Sequence, residues 1–138
     1  MAAVEIGSAS ECLRLDVESD DPALGDLVAV LSVDGLSATK RVYLHPASGW
    51  SELEEFFAGL ALDWRGWSGT REWTSLESDL SIEARYEYGH VQVRVTLSDA
   101  LAGWGNHGWK ATADLTLDPG EQLSQVAGDL QDLANRSS

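Results

Sequence analysis

The chain has 138 residues, with nine Lys plus Arg against 23 Asp plus Glu, a net charge of −14 and a sequence pI near 4.3. That length suits one domain with a real core, and 43% hydrophobic residues exclude a disordered acidic tail. So acidic a surface repels phosphates and anionic lipid, which argues against nucleic-acid and membrane-surface binding and leaves a basic partner or simple solubility. The first residues, Met-Ala-Ala-Val-Glu-Ile, have neither the basic start nor the apolar run of a secretory signal, and no apolar stretch approaches membrane-spanning length. A cytoplasmic protein is expected. The single cysteine, Cys12, reads as a small buried hydrophobe.

Strand patterns come first along the chain. Leu13, Leu15 and Val17 alternate with Arg14, Asp16 and Glu18, and residues 19–22 (SDDP) break the strand. Residues 26–33 and 36–44 flank Asp34-Gly35, a pair that suits a type I′ hairpin turn. Counting outward pairs Val33 with Leu36, Leu31 with Ala38 and Leu27 with Val42. Val28 and Val30 fall on the other face, so this strand reads as covered on both sides; the first strand, or Val28 and Val30, are the candidates for pairing across a homodimer.

A helix follows. Trp50, Leu53, Phe56, Phe57, Leu60, Ala61 and Trp64 form one stripe of a 3.6-residue period. Pro46 and Gly49 precede it, Ser51 with Glu54 fits a capping box, and Asp63 and Gly66 mark its end. Glu52 and Glu55 face water. After a loop at 65–69, strands are expected at 72–76, 80–88 and 91–98. Gly89-His90 suits a type II′ turn, pairing Tyr88 with Val91 and Tyr86 with Val93. A Gly-rich loop (99–108) leads to a strand at 109–117. Asp118-Pro119-Gly120-Glu121 then opens a helix whose stripe is Leu123, Val126, Ala127, Leu130, Leu133 and Ala134.

The order β-β-β-α-β-β-β-β-α, without a repeat, predicts a single α+β domain over residues 1–138. The expected architecture is a two-layer sandwich: one antiparallel sheet of about six or seven strands, with both helices on one face. The open face carries Arg14, Asp16, Glu83, Arg85, Glu87, Gln92, Arg94, Lys110 and Asp114. Acids gather elsewhere. Residues 1–34 hold eight acids and one base, and the helices bring Glu52, Glu54, Glu55 and Asp63, then Asp118, Glu121, Asp129 and Asp132 ahead of Arg136. The turn register sets Arg85 opposite Arg94, an unfavourable like-charge pair that Glu83 and Glu87 offset. These two arginines are either a solvated charge ladder or a spot for an anion or a partner.

Catalytic signatures are thin. Gly66-Trp67-Ser68-Gly69 lacks the nucleophile-elbow spacing, and His45, His90 and His107 are isolated, so no metal is expected. Glu18 with Asp20-Asp21 lacks the spacing of a calcium loop, and neither a P-loop nor G-x-G-x-x-G is present, so no cofactor is expected. The chain reads as a non-enzyme. A hydrolase would need Ser68 and an acid within reach of His107.

Six tryptophans are the informative excess. Trp50, Trp64 and Trp109 fall on apolar stripes and read as core. Trp67 and Trp104 sit in Gly-rich loops, where they either staple the loop to the core or present anchors to a partner, and His107 shares that ambiguity. With Trp67, Trp104 and His107, the helical acids Glu52, Glu55, Asp129 and Asp132 make the candidate partner-binding set.

From Trp73-Thr74-Ser75-Leu76-Glu77 through Leu80, Ile82, Gly89-His90-Val91, Val93, Val95 and Leu97 to Trp109 and Leu115-Thr116-Leu117-Asp118-Pro119, the sequence resembles small actinobacterial proteins grouped as a domain of unknown function. That resemblance implies a stand-alone bacterial domain and transfers no catalytic residue. The chain is also similar, generically, to bacterial toxin-immunity proteins, which are often small, acidic and α+β. The leading expectation is therefore a binding protein, of the immunity type, for a basic toxin. The rival is a small-molecule site between sheet and helices, lined by Trp64, Trp67, Trp104 and Tyr86.

Overall fold

The computed structural model describes residues 3–17, 26–43, 51–99, 104–105 and 108–136. The chain runs four strands and a helix, twice: β1 (Ala3–Gly7), β2 (Cys12–Val17), β3 (Asp26–Val33), β4 (Leu36–Tyr43), α1 (Ser51–Leu62), β5 (Thr70–Thr74), β6 (Leu80–Glu87), β7 (His90–Asp99), β8 (Trp109–Leu117) and α2 (Glu121–Arg136). Strands pair with their sequence neighbours into two four-stranded antiparallel sheets, β1-β2-β3-β4 and β5-β6-β7-β8.

This corrects the expected single sheet of six or seven strands under two helices. Hairpin signals specify pairing only between strands joined by a short turn. Between β4 and β5 the chain passes through α1, and no local signal says whether those two strands meet. They do not: each ends its own sheet. The eighth strand is β1, overlooked because Val4 and Ile6 are its only inward apolar residues. The repeated order of elements was likewise hidden by that missing strand.

Alternation decides what each sheet buries. The first turns inward Val4, Ile6, Leu13, Leu15, Leu27, Ala29, Leu31 and Val42, and the second Leu80, Ile82, Ala84, Val91, Val93, Val95, Leu97, Leu115 and Leu117. Leu53, Phe57 and Leu60 of α1 and Leu123, Val126, Leu130 and Leu133 of α2 join them in one continuous cluster. The helices pack against each other, and the sheets meet where β3 and β4 approach β7 and β1 approaches β8. The outward face of the second sheet carries exposed Arg85, Arg94, Thr112 and Asp114 and half-buried Glu83 and Gln92, with no helix over it among the described residues. Cys12 is half-buried, and burial raises its thiol pKa first, with Glu5 adding to the shift.

Both hairpin turns differ from expectation in kind. At Asp34-Gly35 only Gly35 has positive φ (82°), the pattern of a type II turn, yet the pairs Val33↔Leu36, Leu31↔Ala38 and Leu27↔Val42 form as expected. At the second hairpin Tyr88 (φ 53°) and Gly89 (φ 80°) are both left-handed, as a type I′ turn demands, so the turn lies one residue earlier than Gly89-His90. Glu87 now faces His90 and Tyr86 faces Val91. The register moves by two, which leaves every side chain of the ladder except Tyr88 on its expected face and changes only its partner. Arg94 therefore lies opposite Glu83 and Arg85 opposite Gln92, so the Arg85–Arg94 clash does not arise. Tyr88 leaves the apolar face and is 98% exposed.

At the start of α2, Asp118 caps as expected, its carboxylate accepting from the Gly120 N–H at 2.7 Å. Gln122 ties this turn to β1, donating from Nε2 to the Gly7 carbonyl at 2.8 Å. Trp50, Pro46 and Gly49 before α1, the 19–22 break, Glu18 and Asp20-Asp21 lie outside the described residues, as do His45, His107 and most of the 99–108 loop.

The Tyr88 conformation yields a test of the register. Asn tolerates the left-handed region far better than Tyr, so Tyr88→Asn is expected to raise the urea midpoint, a gain of about 0.5–1 kcal/mol. A lower midpoint would indicate that residue 88 belongs to the strand ladder, as a Gly89-His90 turn requires.

Candidate functional site

The aromatic residues separate into staples and exposed rings. Trp67 packs against the core, meets Tyr86 edge-on at 5.6 Å and 62°, and lies under the Arg71 guanidinium at 4.8 Å. Gly66 (φ 125°) permits this approach, since a Cβ there would stand 3.2 Å from the Tyr86 ring. Arg71 also donates to Asp63 Oδ2 at 2.7 Å and to the Gly59 carbonyl at 3.4 Å, clamping β5 to the end of α1. Trp67 is therefore a staple. Its indole N–H, like that of Trp73, is buried without a hydrogen-bond partner.

Trp104 is the opposite case, wholly exposed between β7 and β8. Trp64, at 49% exposure beneath Arg65, and Trp109, at 37%, are not the core residues their stripes suggested, because Trp64 lies in the turn past the end of α1 and Trp109 is the first residue of β8, where each stripe runs past the core. Of the four residues expected to line an aromatic pocket, the structure brings together Trp67 and Tyr86, and their rings fill the space between them.

The two sheet arginines find different partners. Arg94 forms a two-pronged pair with Asp114, at 2.8 and 3.1 Å, and Arg85 donates to Thr70 Oγ1 at 2.7 Å. Arg94 depresses the Asp114 carboxyl pKa through that hydrogen bond, so the pair's stabilisation is present above the unfolded-state pKa and is lost as pH falls. Both arginines line a depression of about 230 Å³ with Glu83, Glu87, Gln92 and Asp114. Three carboxylates there outnumber two guanidinium groups and leave no positive excess for an anion. Glu52, Glu55 and Asp132 are exposed on the helices, while Asp129, half-buried, accepts from Gln125 at 2.9 Å.

A different cluster carries unusual electrostatics. The connection from β5 to β6 is fixed by Ser75: its amide donates to the Leu80 carbonyl at 2.9 Å, and its buried hydroxyl accepts from the Leu80 N–H at 3.0 Å. Ser78 closes back on Ser75 at 3.0 Å with φ 61°. The Asp79 carbonyl then accepts from the Ser98 N–H at 2.8 Å, fastening the loop to β7. This scaffold holds Asp79 at 5% exposure on the wall of a groove of about 420 Å³, together with Lys40 and Tyr43 of β4, Glu77, Ser98 and Asp99. Asp99 faces Trp109 across the β7–β8 ladder. Burial pushes the Asp79 carboxyl above its ordinary pKa. Glu77 and Asp99 add to the rise, while Lys40 and the residue's own backbone N–H oppose it. None of these residues stood out in sequence, since a hairpin acid is ordinary until the fold sets it against β4.

A family model described as a family of unknown function, DUF6228, matches residues 5–137. The chain belongs to that family. Membership of DUF6228 agrees with the resemblance to a domain of unknown function drawn from residues 73–123. No curated protein and no solved structure matches this DUF6228 chain. Among its described residues no helix is long and apolar enough to cross a membrane, and no three His, Cys, Asp or Glu side chains converge as metal ligands would.

Asp79 sets a pH-dependent expectation. Its folded-state pKa is raised, so between the unfolded and folded values the native state holds a proton that the unfolded chain has released. Its contribution is thus fully present below the unfolded pKa and lost as pH rises through the folded one. Asp79→Asn, which removes the buried charge, is expected to raise the thermal midpoint at neutral pH, with the advantage shrinking toward acid pH. A lower midpoint at neutral pH would give the carboxylate a stabilising structural role instead.

Proposed function

We propose that this DUF6228 protein is a non-enzymatic bacterial binding protein of the immunity type, which masks a basic toxin in the cytoplasm of the cell that makes both. The observation that carries the reading is the groove between β4 and the β5–β6 loop. It sets three carboxylates against one ammonium, on a protein whose net charge is −14. A basic partner is drawn in by the field of the whole molecule, and its grip depends on groups that lose water at the contact. Half-exposed Trp109, opposite Asp99, and exposed Trp104 supply rings of the type that dominates such contacts. The exposed helical acids Glu52, Glu55 and Asp132 speed the encounter. The small-molecule reading has no comparable support, because Trp67 and Tyr86 pack edge-on against each other while Trp104 stands in solvent.

The test combines capture with physiology. Affinity capture on this chain at low salt from the source cells is expected to retain a basic protein that high salt releases. Expression of that protein alone should arrest growth, and co-expression of this chain should restore it. Absence of a basic, salt-released partner, or failure to restore growth, overturns the proposal.

A further inference from the structure

We infer that the groove formed by β4 and the β5–β6 loop is an anchor pocket for one arginine or lysine side chain of the partner, with the Asp79 carboxylate as its counter-ion. The inference rests on the basic-partner reading and names where the partner's charge is received.

Three observations support it. First, Asp79 is a buried carboxylate with an incomplete set of partners. At 5% exposure it hydrogen-bonds its own backbone N–H, and among the described residues no Lys or Arg closes on it as an ion pair. Buried carboxylates are stabilised by a paired cation with further hydrogen bonds, and one held short of that set is costly. Lys40 acts on it through the Coulomb field without a contact. Second, the main chain that carries Asp79 is held on both sides, by the Ser75–Leu80 bonds before β6 and by the Ser98 N–H on the Asp79 carbonyl, so the groove wall is a built one. Third, the groove has the size and walls for a long cationic side chain. At about 420 Å³ it lies in the range of small-molecule clefts, and Tyr43, 43% exposed, offers a ring on which a guanidinium can stack. Glu77 and Asp99 provide further acceptors at the mouth. A planar, forked guanidinium can bridge acceptors that do not converge on a point, which suits this set better than a metal ion.

The experiment is an amide NMR titration of the full chain with a blocked arginine tripeptide, with the same peptide carrying neutral citrulline, and with free spermidine. The arginine peptide is expected to shift the amides of Lys40, Tyr43, Glu77, Asp79, Ser98 and Asp99, and the citrulline peptide to leave them in place. Asp79→Asn should weaken binding about tenfold or more, the loss expected for a charged hydrogen-bonded partner. Lys40→Met, which removes the competing cation, should tighten it, and Glu121→Gln at the exposed start of α2 should leave the groove shifts unchanged. The urea midpoint of Asp79→Asn, at or above that of the parent, shows that the variant is folded.

Spermidine binding at the same amides more tightly than the peptide would overturn the side-chain assignment in favour of a free polyamine. Equal response to the citrulline peptide, or arginine shifts confined to the helices, would overturn the groove. The captured basic partner gives the separating measurement: a complex unweakened by Asp79→Asn removes the pocket and keeps the basic-partner reading, whereas no complex with a basic partner removes that reading itself.

Discussion

Each of the eight strands has one face able to leave water, and all of those faces, with one stripe from each helix, are spent on a single cluster. That shared core is what the rest of the molecule depends on. At roughly 25 cal/mol per Å² of apolar surface removed from water, it is the main term holding two sheets that do not pair with each other. Neither sheet closes alone, because the inward side chains of one meet residues of the other and of the helices in the same cluster. Phe57 of α1, with no exposed surface, and Leu130 of α2 bring both helices into the same interior. The outward faces are consequently left to water.

What the sequence made legible follows from range. Alternation in Leu27–Leu31 and Val91–Leu97 identified the buried faces, the stripe Leu53–Leu60 identified α1, and Asp118 identified the cap of α2. Turn chemistry proved subtler. Asp-Gly at 34–35 formed its hairpin with one left-handed residue, whereas Tyr88, a residue that disfavours that region, adopted it. A two-residue slip there was invisible to hydrophobic pattern, since both registers bury the same aliphatic side chains and differ only at Tyr88. The division into two sheets depends on how β4 and β5 are placed around α1, a matter of tertiary packing alone. The groove is still more remote from sequence, because Lys40 and Asp79 lie far apart in the chain and meet only where β4 approaches β7.

Charge was legible in amount and less so in arrangement. The sequence showed few cations, and the structure shows how several are used. Arg14 pairs with Asp16 and Glu5, Arg71 with Asp63, and Arg94 with Asp114. Exposed pairs of this kind add little stability, about 0–1 kcal/mol each. They nonetheless cancel positive charge locally, so the potential felt at a distance is that of the unmatched acids. The groove differs from the surrounding surface by degree of burial more than by number of charges, for Asp79 is hidden and Glu52 is not.

The clamp at Arg71 has one further effect. β5 ends the second sheet, and the outer rim of such a strand presents backbone groups to which a strand of another molecule can add. Arg71 sits opposite Ala84 on the inward face of that terminal strand, half-buried against Trp67, with its charge tied to α1. A strand adding at this rim would have to accommodate an inward guanidinium beside its own apolar row. The contact that docks α1 thereby also keeps a charge on the inward side of the sheet's terminal strand, a placement that disfavours growth by strand addition at this rim.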